Sequence, residues 1–403
     1  MQQTTIFDML YPKYKIVKPI RLIEFFAGYG SQALALKYLG VPFEHWKICE
    51  WAVKSIQAYK DIHCEFDETY PPILESQTKE KMVNYLYNKG ISSNYNEPMT
   101  REQINRLSEQ QLKTIWNNIM ITHNLVNIQQ VKGKDLEIID TNKYDYILTY
   151  SFPCQDLSLA GKGKGMSDTS TRSGMLWEVE RILTECKELG TLPQILLMEN
   201  VPQVHSEDNI DDFYKWQLRL EELGYKNYMQ DLIATDHGIP QTRNRCFMIS
   251  ILGDYSYTFP KPIPLELRLK DMLEDNVDEK YYLPDKYYKN IEYFKEDKNQ
   301  IAYLNYSKQE QSNRVWNIEN VAPTLCASYK ANDYLQNIKI KIDNKIRVLT
   351  CKETFRLMGV KDEDFEKCAK NQNDSSLYHL AGDSIVVNVL MAIFNELLES
   401  KGE

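Results

Sequence analysis

Cys154 stands in the run Ser151-Phe152-Pro153-Cys154-Gln155, directly after the apolar stretch Tyr146 to Tyr150. A thiol placed where a strand gives out, at the functional edge of a parallel sheet, is a candidate covalent nucleophile. A lone cysteine is more often a small buried apolar residue, so its neighbours decide. Pro153 stops the strand, and the Gly- and Lys-containing run Ala160 to Gly165 follows. Positive charge nearby would raise the thiolate fraction of a group whose ordinary pKa is about 8.5. Glu199 closes the next apolar run, Ile195 to Met198, and would face the same crevice. In isolation such a glutamate is a solvated or helix-capping group. Beside a strand-end thiol it becomes a candidate proton donor.

A second constellation lies near the N-terminus. Arg21 to Phe26 reads as a strand, followed by the turn Ala27-Gly28-Tyr29-Gly30 and a helix that Ser31 could cap, ending at Leu39 and Gly40. Glycines let a ligand approach the backbone, and the helix start offers free N–H groups. Glu50 follows Gly30 by twenty positions, where an acid at the end of a second strand holds ribose hydroxyls. Trp51 offers a flat face for an adenine ring. A third group, Gln241, Arg243 and Arg245, falls on one face if its segment is extended. Two guanidinium groups there suit an anionic or carbonyl-bearing ligand.

The elements needed to position these residues are legible as alternating strands and helices. Strand-like runs end near 26, 49, 150, 198 and 252, with helical patterns at Gly174 to Leu189 and Phe213 to Leu223. The expected fold is α/β, a doubly wound and mainly parallel sheet, with a smaller irregular domain. Residues 1–258 would form the main domain, with a polar helical insertion at about 62–124. Residues 259–372 would form the second domain, and 373–403 would return to the first. The 403 residues are 43% apolar and 26% charged, a balance that permits a sizeable core. A net charge of −9 speaks only weakly against a nucleic-acid partner, because clustering matters more than the sum. The eight cysteines form no CxxC pair and no zinc-finger spacing with histidine, so no metal is expected. Without a leader or an apolar run of spanning length, a cytoplasmic protein with reduced thiols and no membrane association is expected.

Taken in order, these segments resemble the DNA (cytosine-5) methyltransferase family of bacterial and phage type. The matching runs are FAGYG (26–30), Glu50-Trp51, FPCQ (152–155), TRSGMLWEVERIL (171–183), ENV (199–201) and GIPQTRNR (238–245). RVLTCKETFRLMG (347–359) and AGDSIVVNVL (381–390) complete the series. The resemblance covers roughly 20–60, 125–255 and 315–400, leaving out the insertion and the middle of the second domain.

The resemblance implies S-adenosylmethionine as methyl donor, with S-adenosylhomocysteine as product, held by Phe26, Gly28, Gly30, Glu50, Trp51, Asn127, Pro153, Met175, Asp383 and Ser384. It implies that Cys154 attacks C6 of a cytosine flipped out of double-stranded DNA, and that Glu199 holds the N3 and N4 edge. Arg245 would contact the ring carbonyl, with Arg243 and Gln241 ordering that strand. The second domain would recognise the target, the chain acting as a monomer linked only functionally to any cognate restriction endonuclease. Three departures stand out: Asn127-Ile128 replaces Asp-Ile, Gly382-Asp383-Ser384 replaces Gly-Asn-Ser, and Ser31 follows Gly30 where a further glycine is frequent. Rival readings are an RNA cytosine methyltransferase, a catalytically silent DNA-binding relative, and a dinucleotide-dependent oxidoreductase. The last leaves FPCQ, ENV and QTRNR without roles.

Overall fold

The computed structural model describes residues 11–64, 77–152, 174–293, 300–304, 314–334 and 336–398. The chain divides into two compact units. One comprises Met1–Leu232, Arg245–Pro260 and Leu390–Glu403, the other Ile233–Asn244 and Lys261–Val389. The sequence expectation cut the chain at 258/259 and 372/373. The division here falls at 260 and 389, and it assigns the short segment 233–244 to the second unit.

The first unit carries β1 (Ile20–Phe25), α1 (Ser31–Tyr38), β2 (Phe43–Cys49), α2 (Val53–His63), α3 (Lys79–Lys89), α4 (Arg101–Asn105), α5 (Glu109–Ile121), β3 (Asp145–Tyr150), α6 (Met175–Leu189), β4 (Ile195–Asn200), α7 (Ile210–Leu223) and nearly all of β5 (Tyr225–Ile233) and β6 (Asn244–Leu252). Its sheet runs β2-β1-β3-β4-β6-β5. The pairs β1/β2, β1/β3 and β3/β4 are parallel, while β6 lies antiparallel to β4. β1, β3 and β4 are buried along their whole length, as strands covered by helices on both faces must be. The helical patterns near 174–189 and 213–223 correspond to α6 and α7. Leu176, Val179, Ile182 and Leu183 of α6 and Phe213, Trp216 and Leu220 of α7 recur at helical spacing and join one core with β3 and β4.

The insertion is helical. Thr100 with Gln103 and Ser108 with Gln111 form capping boxes that start α4 and α5. Met82, Leu86, Ile91, Leu112 and Ile119 make its core, which continues into Ile56 and Val126 and is flanked by Trp51 and Val53.

The second unit is more regular than its sequence suggests. β7 (Ile291–Tyr293), β8 (Gln300–Leu304), β9 (Arg314–Trp316), β10 (Lys339–Ile342) and β11 (Lys345–Val348) form a five-stranded sheet in the order β11-β10-β9-β8-β7. The strands hold only three to five residues each, too few for an alternating pattern to emerge. α8 (Cys351–Arg356), α9 (Asp362–Ala369) and α10 (Asp374–Gly382) follow, and α11 (Val387–Leu397) straddles the cut between units. The Arg347 guanidinium is 1% exposed and donates to both oxygens of the fully buried Glu353 at 2.7 and 2.6 Å. Among the described residues no single helix is long and apolar enough to cross a membrane.

Candidate active site

The register of the sheet brings the candidate residues of the first unit to one edge. Phe25 lies opposite both Cys49 and Tyr150, and Tyr150 lies opposite Met198. The segments that follow these strands therefore leave the sheet at the same end. They carry Phe26, Glu50 and Phe152, and Glu199 stands at the same end within β4. The antiparallel direction of β6 brings its start, and with it Arg245, to that end as well.

At the first strand end, Phe26 adopts φ 57° and donates its N–H to Cys49 O at 2.8 Å. Gly28 has φ +55° with open space where a Cβ would stand, so its backbone is accessible to a ligand. Gly30 serves a different purpose. A Cβ there would meet His63 Nε2 at 2.5 Å and the Tyr59 ring at 2.7 Å, so its bareness is required by packing. Gly30 also precedes α1 with no side-chain cap, which corrects the expectation that Ser31 caps this helix. Below the turn, the buried Glu24 accepts from Tyr59 Oη at 2.6 Å and from Ala33 N at 3.3 Å. Burial raises its pKa to about 7, against the lowering effect of those two donors. Tyr59 Oη also meets His45 Nδ1 at 2.9 Å, and burial lowers that imidazole to about 4.

Glu50 is 8% exposed and receives Gly28 N–H at 3.0 Å and Ala52 N–H at 2.7 Å. A carboxylate offers about four lone-pair sites in all, which suits it to accept hydroxyl donors. Its main chain is held by Asn124: Glu50 N–H donates to Asn124 Oδ1 at 3.0 Å, and Asn124 Nδ2 donates back to Glu50 O at 2.9 Å. Trp51, half-buried, accepts at its carbonyl from Ser92 N–H, and Ser92 O accepts from Val53 N–H, both at 2.8 Å. The insertion thus fixes the strand end that carries Glu50 and Trp51. Asn127 is half-buried and caps the 3₁₀ turn Ile128–Gln130 through Oδ1, which accepts Gln129 N–H at 3.0 Å. Met175 opens α6 and packs partly buried against the main core.

At the other strand ends, Glu199 Oε1 lies 3.1 Å from Arg245 Nε, with side chains 10% and 18% exposed. The adjacent Asn200 donates Nδ2–H to Phe152 O at 3.1 Å, tying the end of β4 to the segment that leads to Cys154. Pro153, Cys154, Gln155 and the Ala160 to Gly165 run lie outside the described residues. The other seven cysteines are free thiols.

Gln241 and Arg243 lie just ahead of β6, which begins at Asn244, and both reach Leu325, whereas Arg245 meets Glu199. Gln241 and Arg243 belong to the second unit and are spent on its backbone. Gln241 Nε2 donates to Leu357 O at 2.7 Å and its Oε1 accepts from Leu325 N at 3.0 Å. Arg243, 5% exposed, donates to the carbonyls of Leu325, Gly382 and Ser384 at 3.1, 3.2 and 2.7 Å. That arrangement makes Arg243 a positioning residue. Asp383, exposed, follows α10, and the Ser384 hydroxyl donates to Ala381 O at 3.0 Å. A surface concavity of about 880 Å³ at Tyr11, Glu221, Lys226 and Asp254 lies by the far end of β6 and plays no part in this site.

Asn124 and Asn200 escaped sequence reasoning. Asn200 was visible beside Glu199, but nothing local shows that its amide reaches residue 152. Asn124 sits at the end of the insertion, where its partner becomes apparent only through the fold.

Residues 90–399 match the family described as C-5 cytosine-specific DNA methylase. The orphan methyltransferase M.SssI of Spiroplasma monobiae is 36% identical over 94% of this chain and 97% of its own length. The type II methyltransferase M2.ScrFI of Lactococcus lactis subsp. cremoris is 36% identical over 95% of this chain and its full length. Among solved structures, the Dnmt2 methyltransferase of S. pombe covers 94% of this chain with a TM-score of 0.61 at 16% identity, a likeness of fold. The chain belongs to the C-5 cytosine-specific DNA methylase family.

Proposed function

We propose that this DNA (cytosine-5) methyltransferase takes its methyl group from S-adenosylmethionine, releases S-adenosylhomocysteine, and acts on a cytosine flipped out of double-stranded DNA through a covalent Cys154 adduct. The observation that carries this reading is the Glu199–Arg245 pair at 3.1 Å on the sheet edge, with Asn200 tying the same strand end to Phe152, two residues before Cys154. Family membership supplies the reaction, and the edge supplies groups of the types it needs.

The cofactor residues of the first unit fit the group by their chemistry. The open Gly28 backbone, the Glu50 carboxylate and the flat Trp51 ring offer a close approach, a hydroxyl acceptor and a stacking face. When bound, S-adenosylmethionine supplies an electrophilic methyl group. The task left to the chain is to make cytosine C5 nucleophilic. The Cys154 thiolate adds at C6 while Glu199 shares a proton at N3, which leaves an enamine carbon at C5. Arg245 fixes the Glu199 carboxylate and presents a donor toward the ring carbonyl. After C5 has gained its methyl group, loss of the C5 proton expels the thiol and restores the ring. The base must leave the stack for C6 to be reached. In this reading Pro153, Met175, Asn127, Asp383 and Ser384 complete the cofactor site, Arg243 orders the backbone beside it, and the second unit reads the sequence. The enzyme works in the cytoplasm as a monomer, joined to a restriction endonuclease only by shared target if it has one.

Bisulfite sequencing of plasmid DNA from cells expressing the protein tests the reading. Methylated cytosines in a fixed sequence context are expected, and an unmethylated plasmid would overturn it. Cys154→Ser is expected to lose both methylation and trapping by 5-fluorocytosine DNA. Retained trapping would remove Cys154 from the covalent step.

A further inference from the structure

His205, Asp231 and Cys246 come from separate parts of the chain, yet one ligand atom of each lies within 4.8 Å of the others. His205 ends the 3₁₀ turn Pro202–His205 that follows β4. Asp231 lies near the end of β5 and Cys246 near the start of the neighbouring β6. His205 Nε2 meets Asp231 Oδ1 at 2.9 Å, and the Cys246 thiol shares that carboxylate. Cys246 is fully buried, whereas the His205 and Asp231 side chains are 28% and 33% exposed. The group is therefore walled by the sheet on one side and open to solvent on the other. Three protein ligands with a position left for water is the arrangement of an open zinc site. An imidazole, a carboxylate and a thiolate form a borderline-soft set, suited to zinc and poorly suited to magnesium or calcium.

We propose that His205, Asp231 and Cys246 bind one divalent ion of the zinc class, with water as the fourth ligand. Sequence spacing gave no hint of this site, because each ligand arrives on a different element. On binding, the Cys246 S–H bond breaks, its proton passes to solvent, and a metal–sulfur bond replaces it. Without the ion, burial and the nearby charges of Asp231 and Glu199 keep the thiol protonated, raising its pKa. Cys246 is the register partner of Asn200, immediately after Glu199. By strand alternation Cys246 shares the sheet face of Asn200 and Glu199 lies on the other, and the binding of the ion does not rest on the proposed function.

Cobalt(II) titration of the whole chain, under a non-chelating reductant, tests the site. One equivalent is expected to give a thiolate-to-cobalt charge-transfer band with tetrahedral d–d absorption, both displaced by zinc. Cys246→Ala should abolish the charge-transfer band. Asp231→Asn, a change at a partly exposed position, should weaken cobalt binding by more than the roughly 10–100-fold that losing an outer-shell partner costs. Cys154→Ser should leave the spectrum unchanged, whatever it does to methylation. No band at millimolar cobalt, or a band that survives in Cys246→Ala, overturns the proposal. Should Cys246→Ala fail to fold, undiminished binding by Asp231→Asn overturns it as well.

Discussion

Asn124 and Glu50 stand 74 positions apart and exchange two main-chain hydrogen bonds as neighbouring strand residues do, with an amide side chain in place of one backbone. Asn124 Oδ1 also accepts Val126 N–H at 2.8 Å, so a single side chain binds the end of β2 to the chain returning from the insertion. Asn124→Ala would leave buried backbone groups without partners, at about 1–3 kcal/mol each. The expected result is a lower denaturation midpoint and, because Glu50 loses its anchor, binding of S-adenosylhomocysteine weakened about tenfold. Calorimetric titration alongside urea unfolding separates the two effects. Unchanged affinity in a destabilised variant would confine Asn124 to a structural role.

Gly28→Ala and Gly30→Ala should fail differently. At Gly28 an added methyl meets nothing within 4 Å but keeps the strain of φ +55° and occupies the ligand's approach, so cofactor affinity should fall with a stability loss of only about 1 kcal/mol. At Gly30 the same methyl collides with His63 and Tyr59, and the melting temperature should drop well before binding is measured. Equal melting losses in the two variants would contradict this division.

On the proposed mechanism, Glu199→Gln removes the proton shared at N3 while keeping the shape of the side chain. Methylation should fall by about 10²–10⁴-fold, the range for general acid–base groups, with the fold intact by circular dichroism. Arg245→Lys keeps the charge but loses the Nε contact with Glu199, and a smaller loss of methylation is expected. A Gln variant with full activity would exclude Glu199 from proton transfer.

The buried Glu24 carboxyl gives stability a pH dependence of known sign. Its pKa is raised by burial from 4.5 to about 7 in the folded chain, so the folded state binds the proton more tightly than the unfolded one. Its contribution is fully present below pH 4.5 and is lost as pH rises through about 7. Glu24→Gln mimics the protonated group, which can donate to Tyr59. Unfolding midpoints from pH 5 to 8 should decline less steeply in the variant than in the parent, and parallel profiles would refute the assignment.

In the second unit, Glu353→Gln strands the guanidinium of Arg347, which is 1% exposed. Breaking a buried pair in this way costs about 3–5 kcal/mol. Equilibrium unfolding should show a loss of that order, larger than the loss from Lys345→Ala, whose partner Glu279 is 79% exposed. Comparable losses would mean that water reaches the buried pair.

The parts of this architecture legible in the sequence are those that burial writes into it. β1, β3 and β4 are buried along their length and read as mostly apolar runs, and the chemistry-bearing residues stand where those runs stop. β5 is a polar edge strand, and much of YKNYMQDLI is only half-buried, so it carries no comparable signal. Residues whose work is done across the fold left no local trace. Gln241 and Arg243 have the composition of a binding face, and only their carbonyl partners reveal that the backbone consumes them. Asn124, Asn200 and the cluster at His205 depend on sheet register, which no run of neighbours encodes.

The segment 233–244 belongs with 261–389, although the two are separated by nearly all of β6. An exchange of the second unit as one cassette beginning near 259 would therefore split it. A hybrid joined there would inherit Gln241 and Arg243 from one parent and the carbonyls at 325, 357, 382 and 384 from the other. Viable crossovers should carry both pieces together, so heredity in this chain would run along hydrogen bonds as much as along the gene.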